Sequence, residues 1–163
     1  MSKIINYQDL GKLSKSWRLK NQKIALATGV FDLLHDGHRQ FLQAAKAEGD
    51  LLLIGVESDK RVKQLKGQNR PIEKINTRIK RLAQVLAVDK VFALPNDFGN
   101  KQVRSNLINQ IKPDTLAVSA HTPFLDQKKM MMIQVGGQVK VVIKQFKNIS
   151  TTKLLTSELK SVK

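Results

Sequence analysis

The sequence contains no cysteine. That absence removes disulfides, thiolate zinc sites and cysteine nucleophiles, and it suits a reducing compartment. Aromatic residues are scarce, with one Trp, one Tyr and six Phe among 163 residues. They are not interleaved with basic clusters, which argues against a dedicated nucleic-acid reader and makes nucleic acid an unexpected partner. Long apolar runs are missing as well. The longest, Leu51–Val56, falls well below the ~20 residues that cross a bilayer, and the stretch from Met1 to Leu10 holds no apolar core of signal-peptide length. A soluble, cytoplasmic protein with no membrane partner is expected. Acidic side chains are in deficit: 13 Asp+Glu face 29 Lys+Arg, a formal net charge of +16. Such a field draws anions of every kind, but the excess is scattered along the chain and reads mostly as a lysine-rich solvated surface.

What is present is a regular alternation. A chain of this length supports one α/β domain with a sizeable core and not two ordinary domains. Short β-rich runs at Ile24–Thr28, Leu51–Val56, Lys90–Leu94, Thr115–Val118 and Val139–Ile143 are separated by helical patterns. Those patterns cover Arg39–Glu48, Asn76–Leu86, Gln102–Ile111 and Phe124–Val135. A leading helix is expected over 7–18, with Leu10, Leu13 and Trp17 on one face, and a last one over about 151–160. The fold class is therefore α/β: a single-domain, Rossmann-like parallel sheet of about five strands with helices on both faces, and a ligand site beyond the carboxyl ends of the strands. On the fourth helix, Met130, Met131 and Met132 cannot all share one face, so at least one is expected to be exposed or to serve a homodimer interface.

The first strand leads into Thr28-Gly-Val-Phe-Asp-Leu-Leu-His-Asp-Gly-His38, and a helical pattern follows at once. Gly29 permits close approach of a ligand to the backbone, and the free N–H groups of a helix start favour a polyphosphate. His35 and His38 lie three apart across the first turn, with Gly37 between them leaving room for the ligand. Two imidazoles at one phosphate can donate hydrogen bonds to oxygens that gain charge as an α-phosphorus is attacked, with no covalent intermediate. Zinc ligation is a poor alternative, because His121 is the only other histidine. Near the other end, Ser150, Thr151 and Thr152 combine hydroxyls with a helix start. That is a second anion cradle, or simply a helix cap.

Taken together, Gly29-Val-Phe-Asp-Leu-Leu-His-Asp-Gly-His38 and Ile149-Ser-Thr-Thr-Lys-Leu-Leu155 resemble the two signatures of the cytidylyltransferase-like nucleotidyltransferases. The stretch Gly55–Gly67, with Arg70-Pro-Ile72, Arg78, Val88-Asp89 and Pro113-Asp114, is similar to the transferase domain of the ADP-heptose synthases, and less fully to glycerol-3-phosphate cytidylyltransferases. The resemblance implies nucleotide contacts from Gly29, Val30, Phe31, Asp32, Gly37, Arg78, Ser150, Thr151 and Thr152. It implies catalytic roles for His35, His38 and Lys66, the last in a loop reaching the site, and acceptor contacts from Glu57, Asp59 and Arg70. Lys60, Arg61 and Lys63 read as solvated surface. Departures fall at Ala117–His121, where the family's Lys and Asp are missing, and at Glu57, which stands for a usual Asn. They bear on the base and the acceptor and leave the histidine core intact.

The resulting expectation is transfer of a nucleoside monophosphate from ATP or CTP to a small phosphorylated acceptor, adenylyl transfer to a sugar 1-phosphate being the first choice. Mg²⁺ is expected to be held mainly by the triphosphate, with no metal ligands from the protein. CTP-dependent transfer to glycerol 3-phosphate and FAD synthetase chemistry are the rivals within the class. Outside it stands an inactive protein that binds nucleotide or nucleic acid.

Overall fold

A computed structural model describes residues 2–143. The expected last helix at 151–160, and with it Ser150, Thr151 and Thr152, lies outside the described residues. A 3₁₀ turn at Tyr7–Asp9 leads into α1 (Leu10–Leu19), and then come β1 (Ile24–Gly29), α2 (Asp36–Lys46) and β2 (Leu51–Val56). Two helices, α3 (Asp59–Lys66) and α4 (Ile75–Ala83), precede β3 (Lys90–Ala93). The remainder is α5 (Lys101–Ile111), β4 (Thr115–Ser119), α6 (Leu125–Gln134) and β5 (Gln138–Ile143). The strands form one parallel sheet in the order β3-β2-β1-β4-β5.

Strand alternation divides the core in two. Ile24 and Leu26 of β1 join Leu53 and Phe92 on the face that also packs Leu10, Trp17, Leu107, Met131 and Met132 of α1, α5 and α6. Ala25 and Ala27 point the other way, with Leu52 and Ile54, onto Phe41 and Leu42 of α2 and Ile79 and Leu82 of α4. Burial on both faces explains why β1 and β2 read as continuous apolar runs instead of alternating ones. At the β3 edge, residues 3–5 add a short parallel bridge to Val91. Of the three methionines, Met131 and Met132 are buried, while Met130 is 62% exposed.

One element was not expected. The octapeptide Asp59–Lys66 has only Val62 and Leu65 as apolar residues and no amphipathic run to announce it. Its helix rests on end effects: the Ser58 hydroxyl accepts from the Arg61 N–H at 3.1 Å, Asp59 stands in the first turn, and Lys63 and Lys66 stand in the last. Lys66 therefore ends a helix instead of sitting in a loop. Gly67 terminates it at φ +98°, where a side chain would be strained.

Carboxylates fix the strand starts. Asp114 accepts the Ile24 N–H at 2.8 Å, Asp50 accepts that of Lys23 at 2.7 Å, and Asp89 takes both Leu52 N–H at 2.7 Å and Lys46 Nζ at 2.6 Å. The Val88-Asp89 and Pro113-Asp114 pairs thus set register at the end of the sheet opposite the expected site. Replacing Asp89 with Ala leaves the Leu52 amide without its partner and is expected to cost about 1–3 kcal/mol. Urea unfolding followed by Trp17 fluorescence measures this, and turnover per folded molecule is expected to stay unchanged.

Candidate active site

The connections from β1 to β2 and from β4 to β5 run to opposite sides of the sheet, so a crevice opens where β1 and β4 adjoin. Gly29, Val30, Phe31, Asp32, His38 and Lys66 line it from the β1 side, and Leu116–Ser119, Thr122 and Lys128 line it from the β4 side. A Cβ on Gly29 would come within 2.9 Å of the Phe31 ring. Glycine is what lets that ring fold back over the end of β1. Phe31 itself adopts φ +53° and Leu33 φ +48°, left-handed conformations that cost non-glycine residues roughly 1–2 kcal/mol each. The buried Phe31 ring meets the edge of the His38 ring at 5.5 Å and supports it from below.

His35 is the N-cap of α2, and the two histidines cap the helix reciprocally. The His38 N–H donates to His35 Nδ1 and the His35 N–H to His38 Nδ1, each at 3.3 Å. The rings stack with centroids 3.7 Å apart and planes 19° from parallel. An Nδ1 that accepts a backbone N–H carries no proton, so each neutral ring bears its proton on Nε2. The helix start thereby converts two side chains into two donors of fixed tautomer. Burial, then the neighbouring His35, then the Lys66 ammonium push the His38 imidazole down to about 3. Burial likewise lowers His35, with Asp36 opposing and Lys66 assisting. Both rings are uncharged at neutral pH in the unliganded protein.

Two struts hold the loop that carries them. Asp32 accepts Ile72 N–H at 2.8 Å, Glu73 N–H at 2.9 Å and Arg70 Nε at 3.1 Å. Burial raises its carboxyl, but the two backbone donors and Arg70 outweigh that and hold it below the usual range. Arg78, fully buried, donates to Val30 O at 2.7 Å, Glu73 O at 2.9 Å and Asp59 Oδ1 at 2.6 Å. The expectation that Arg78 contacts phosphate is corrected on this point: its guanidinium is committed to protein partners and it positions the loop. Asp59 neutralises Arg78 through Oδ1, and Arg70 braces the loop through its Nε bond to Asp32, while the buried Arg70 Nη2 has no partner among the described residues.

The expected site residues thus separate into groups. Lys66 is brought to the histidines, close enough to depress both, and is itself lowered by burial and then by Arg70. Gly37 is buried in the first turn of α2. Glu57 lies apart from Asp59 and Arg70, in a second cleft beside the first. Lys60 and Lys63 are exposed as expected, but Arg61 is half-buried in that second cleft with its Nε unpaired among the described residues. The sequence reading passed over Lys128 and Arg104, whose isolated basic letters in α6 and α5 carry no local signal. Among the described residues no cluster of His, Asp or Glu could hold a metal ion, and no helix is long and apolar enough to cross a membrane.

Two outcomes follow from this geometry. Arg78→Met leaves Asp59 and two backbone carbonyls without their donor and is expected to destabilise the fold by about 3–5 kcal/mol, read by urea unfolding. The unfolded chain gains a proton on His38 below its ordinary value near 6.5, whereas the folded one resists it until about 3. Its contribution is therefore intact above that ordinary value and is lost as pH falls towards 3. Imidazole ¹⁵N spectra are expected to show Nε2–H tautomers at both rings and a neutral His38 at pH 5. A charged His38 there would refute the reciprocal cap.

The cytidylyltransferase-like family model matches residues 26–161. The bifunctional protein HldE of Wolinella succinogenes is 40% identical over 114 residues, covering 70% of this chain and 23% of that protein. HldE of Helicobacter pylori strain Shi470 is 36% identical over 146 residues, covering 85% of this chain and 30% of that protein. The chain thus spans less than a third of the length of these relatives. Among solved structures, a lipopolysaccharide core biosynthesis protein from Thermoplasma volcanium superposes with a TM-score of 0.61 at 26% identity, over 76% of this chain and 97% of that one. Pantoate-beta-alanine ligase from Francisella tularensis shares the fold, with a TM-score of 0.62 at 18% identity over 98% of this chain and 77% of that one. With its family match running from the first strand past the last, this chain belongs to the cytidylyltransferase-like family.

Proposed function

We propose that the protein is a nucleotidyltransferase that moves the adenylyl group of ATP onto a sugar 1-phosphate and releases pyrophosphate. The observation that carries this reading is the reciprocal histidine cap, which fixes two neutral Nε2–H donors at a helix start, beside a crevice that His38 lines and that is suited to a polyphosphate. The HldE relatives and the neighbour named for lipopolysaccharide core biosynthesis support a sugar phosphate as acceptor.

In the proposed step an acceptor phosphate oxygen bonds to the α-phosphorus while the bond to the α,β-bridging oxygen breaks. Pyrophosphate leaves with that electron pair. A phosphate monoester is already ionised at neutral pH, so no general base is needed. Catalysis rests on positioning and on charge stabilisation by His35, His38 and the Lys66 ammonium. Neutral donors suit this task, because they strengthen as charge grows on the phosphoryl oxygens without binding the ground-state triphosphate as tightly as a cation would. Mg²⁺ would be held by the triphosphate oxygens, since Asp32 is engaged with Arg70 and two amides; when bound it offsets charge on the leaving pyrophosphate. Ser150, Thr151 and Thr152 would add hydroxyls to the nucleotide phosphates.

Pyrophosphate release measured with ATP or CTP against heptose 1-phosphate, hexose 1-phosphates, glycerol 3-phosphate and FMN tests the reading. Turnover is expected with ATP and a sugar 1-phosphate, and preference for CTP with glycerol 3-phosphate would overturn it. His38→Ala is expected to lower kcat by about 10²–10³-fold, with unfolding by urea little changed. Near-normal kcat in that variant would remove the histidines from the chemistry.

A further inference from the structure

A second cleft lies on the other side of β1 from α2, between α3, α5 and α6. It shares Thr28, Leu116 and Lys128 with the histidine crevice, so the two adjoin at these residues. Its inner wall is apolar, from Leu26, Leu107, Ile108 and Met131, and Phe98 and Phe124 flank it. Into this apolar setting the chain inserts one carboxylate and three cations: Glu57, Arg61, Arg104 and Lys128. They come from the end of β2 and from three separate helices, so their convergence is a product of the tertiary fold.

Several of their polar atoms are left without protein partners. Glu57 Oε2, Arg61 Nε and Arg104 Nε are buried and unpaired among the described residues. Burial raises the Glu57 carboxyl, against the pull of Arg61, Arg78, Arg104 and Lys128, and burial also lowers the Lys128 ammonium, with Arg104 assisting and Glu57 opposing. Among the described residues Glu57 closes no strut, and the one hydrogen bond of Lys128 goes to the Thr122 hydroxyl. Buried polar groups without partners are costly, and such groups lining a cavity mark the places where a ligand completes them.

We infer that this second cleft is the acceptor subsite, and that it takes a polyhydroxylated phosphate monoester whose phosphate lies on Lys128 and whose hydroxyl groups donate to Glu57. The inference rests on the transfer reading given above. Among the described residues Lys128 is the one cation that lines both cavities, so a phosphate held there stands at their junction, next to the crevice that His38 lines. A carboxylate with an unused oxygen recognises O–H donors and repels a second anion, so Glu57 favours an acceptor with hydroxyls over one with a carboxylate or a further phosphate at that position. Phe124, over whose ring Arg104 lies at 5.4 Å, gives an apolar surface for the C–H face of a sugar ring. Arg61 and Arg104 oppose the burial that raises the Glu57 carboxyl and offer their Nε–H groups to ring or hydroxyl oxygens.

The test is equilibrium binding, by calorimetry, of heptose 1-phosphate and glycerol 3-phosphate to the full chain saturated with α,β-methylene-ATP. Wild type, Lys128→Met and Glu57→Gln are compared, and the urea unfolding midpoint of each serves as the control for folding. Lys128→Met is expected to weaken both phosphates about tenfold or more, as loss of a charge-assisted bond requires. Glu57→Gln is expected to weaken heptose 1-phosphate selectively. The urea midpoint is expected to stay near that of wild type in both variants, and in Glu57→Gln the analogue affinity is expected to stay within about twofold. Sugar phosphate binding unchanged in both variants overturns the assignment, and so does a loss confined to the analogue or the absence of sugar phosphate binding to wild type. Pyrophosphate release is recorded in parallel. Binding that depends on Lys128 and Glu57 without release from any triphosphate would uphold the subsite and overturn the transfer reading.

Discussion

Two imidazoles can cap one helix reciprocally only if the chain enters that helix in an extended conformation and the residues before it turn back sharply. His35 meets the first condition, with φ −126° and ψ 175°. Phe31 and Leu33 meet the second through positive φ values that neither residue favours. That unfavourable path is held by Asp32, which ties the loop to Ile72 and Glu73, and by Arg78, which grips the Val30 carbonyl from below. The rest of the site follows from this arrangement. The cap fixes both tautomers, and the tautomers decide which nitrogen of each ring can act on a ligand. Arg78 also binds Asp59 at the start of α3, so the same buried guanidinium joins the histidine loop to the helix that delivers Lys66.

Charge is distributed with a purpose that the net value of +16 conceals. The cations nearest the chemistry are few, with Lys66 exposed and Arg61, Arg104 and Lys128 half-buried, and their fields act on neighbours: Lys66 lowers both histidines, and Arg61, Arg104 and Lys128 oppose the rise of Glu57. Histidines that are neutral amid cations suit a triphosphate well, since both rings can donate to an anion that carries its own charge. Most remaining basic side chains, such as Lys60 and Lys63, are exposed and contribute a diffuse attraction for anions.

The sheet was legible because its strands obey a local rule. Buried on both faces, β1 and β2 are written as unbroken apolar runs, and β2 begins and ends at the residues the pattern indicates. The histidine loop was equally legible, since its glycine, its helix start and its two histidines stand in adjacent positions. Helix α3 was not, because a short, charged helix held by an N-cap and a distant Arg78 leaves no periodic trace. Arg78 shows the limit from the other side. Its letter suggests a phosphate ligand, and only its complete burial against Val30, Glu73 and Asp59 turns it into a strut.

By itself the sequence determined the parallel α/β sheet, the histidine loop and helix start after β1, and the family, because each depends on residues close together in the chain. Tertiary structure alone decided which charged residues face a ligand. Glu57, Arg61, Arg104 and Lys128 come from one strand end and three helices, and their convergence depends on how those elements pack across β1 and β4. Electrostatic interaction acts through distance in space and is indifferent to distance along the chain, so no spacing of letters could have brought those four groups together.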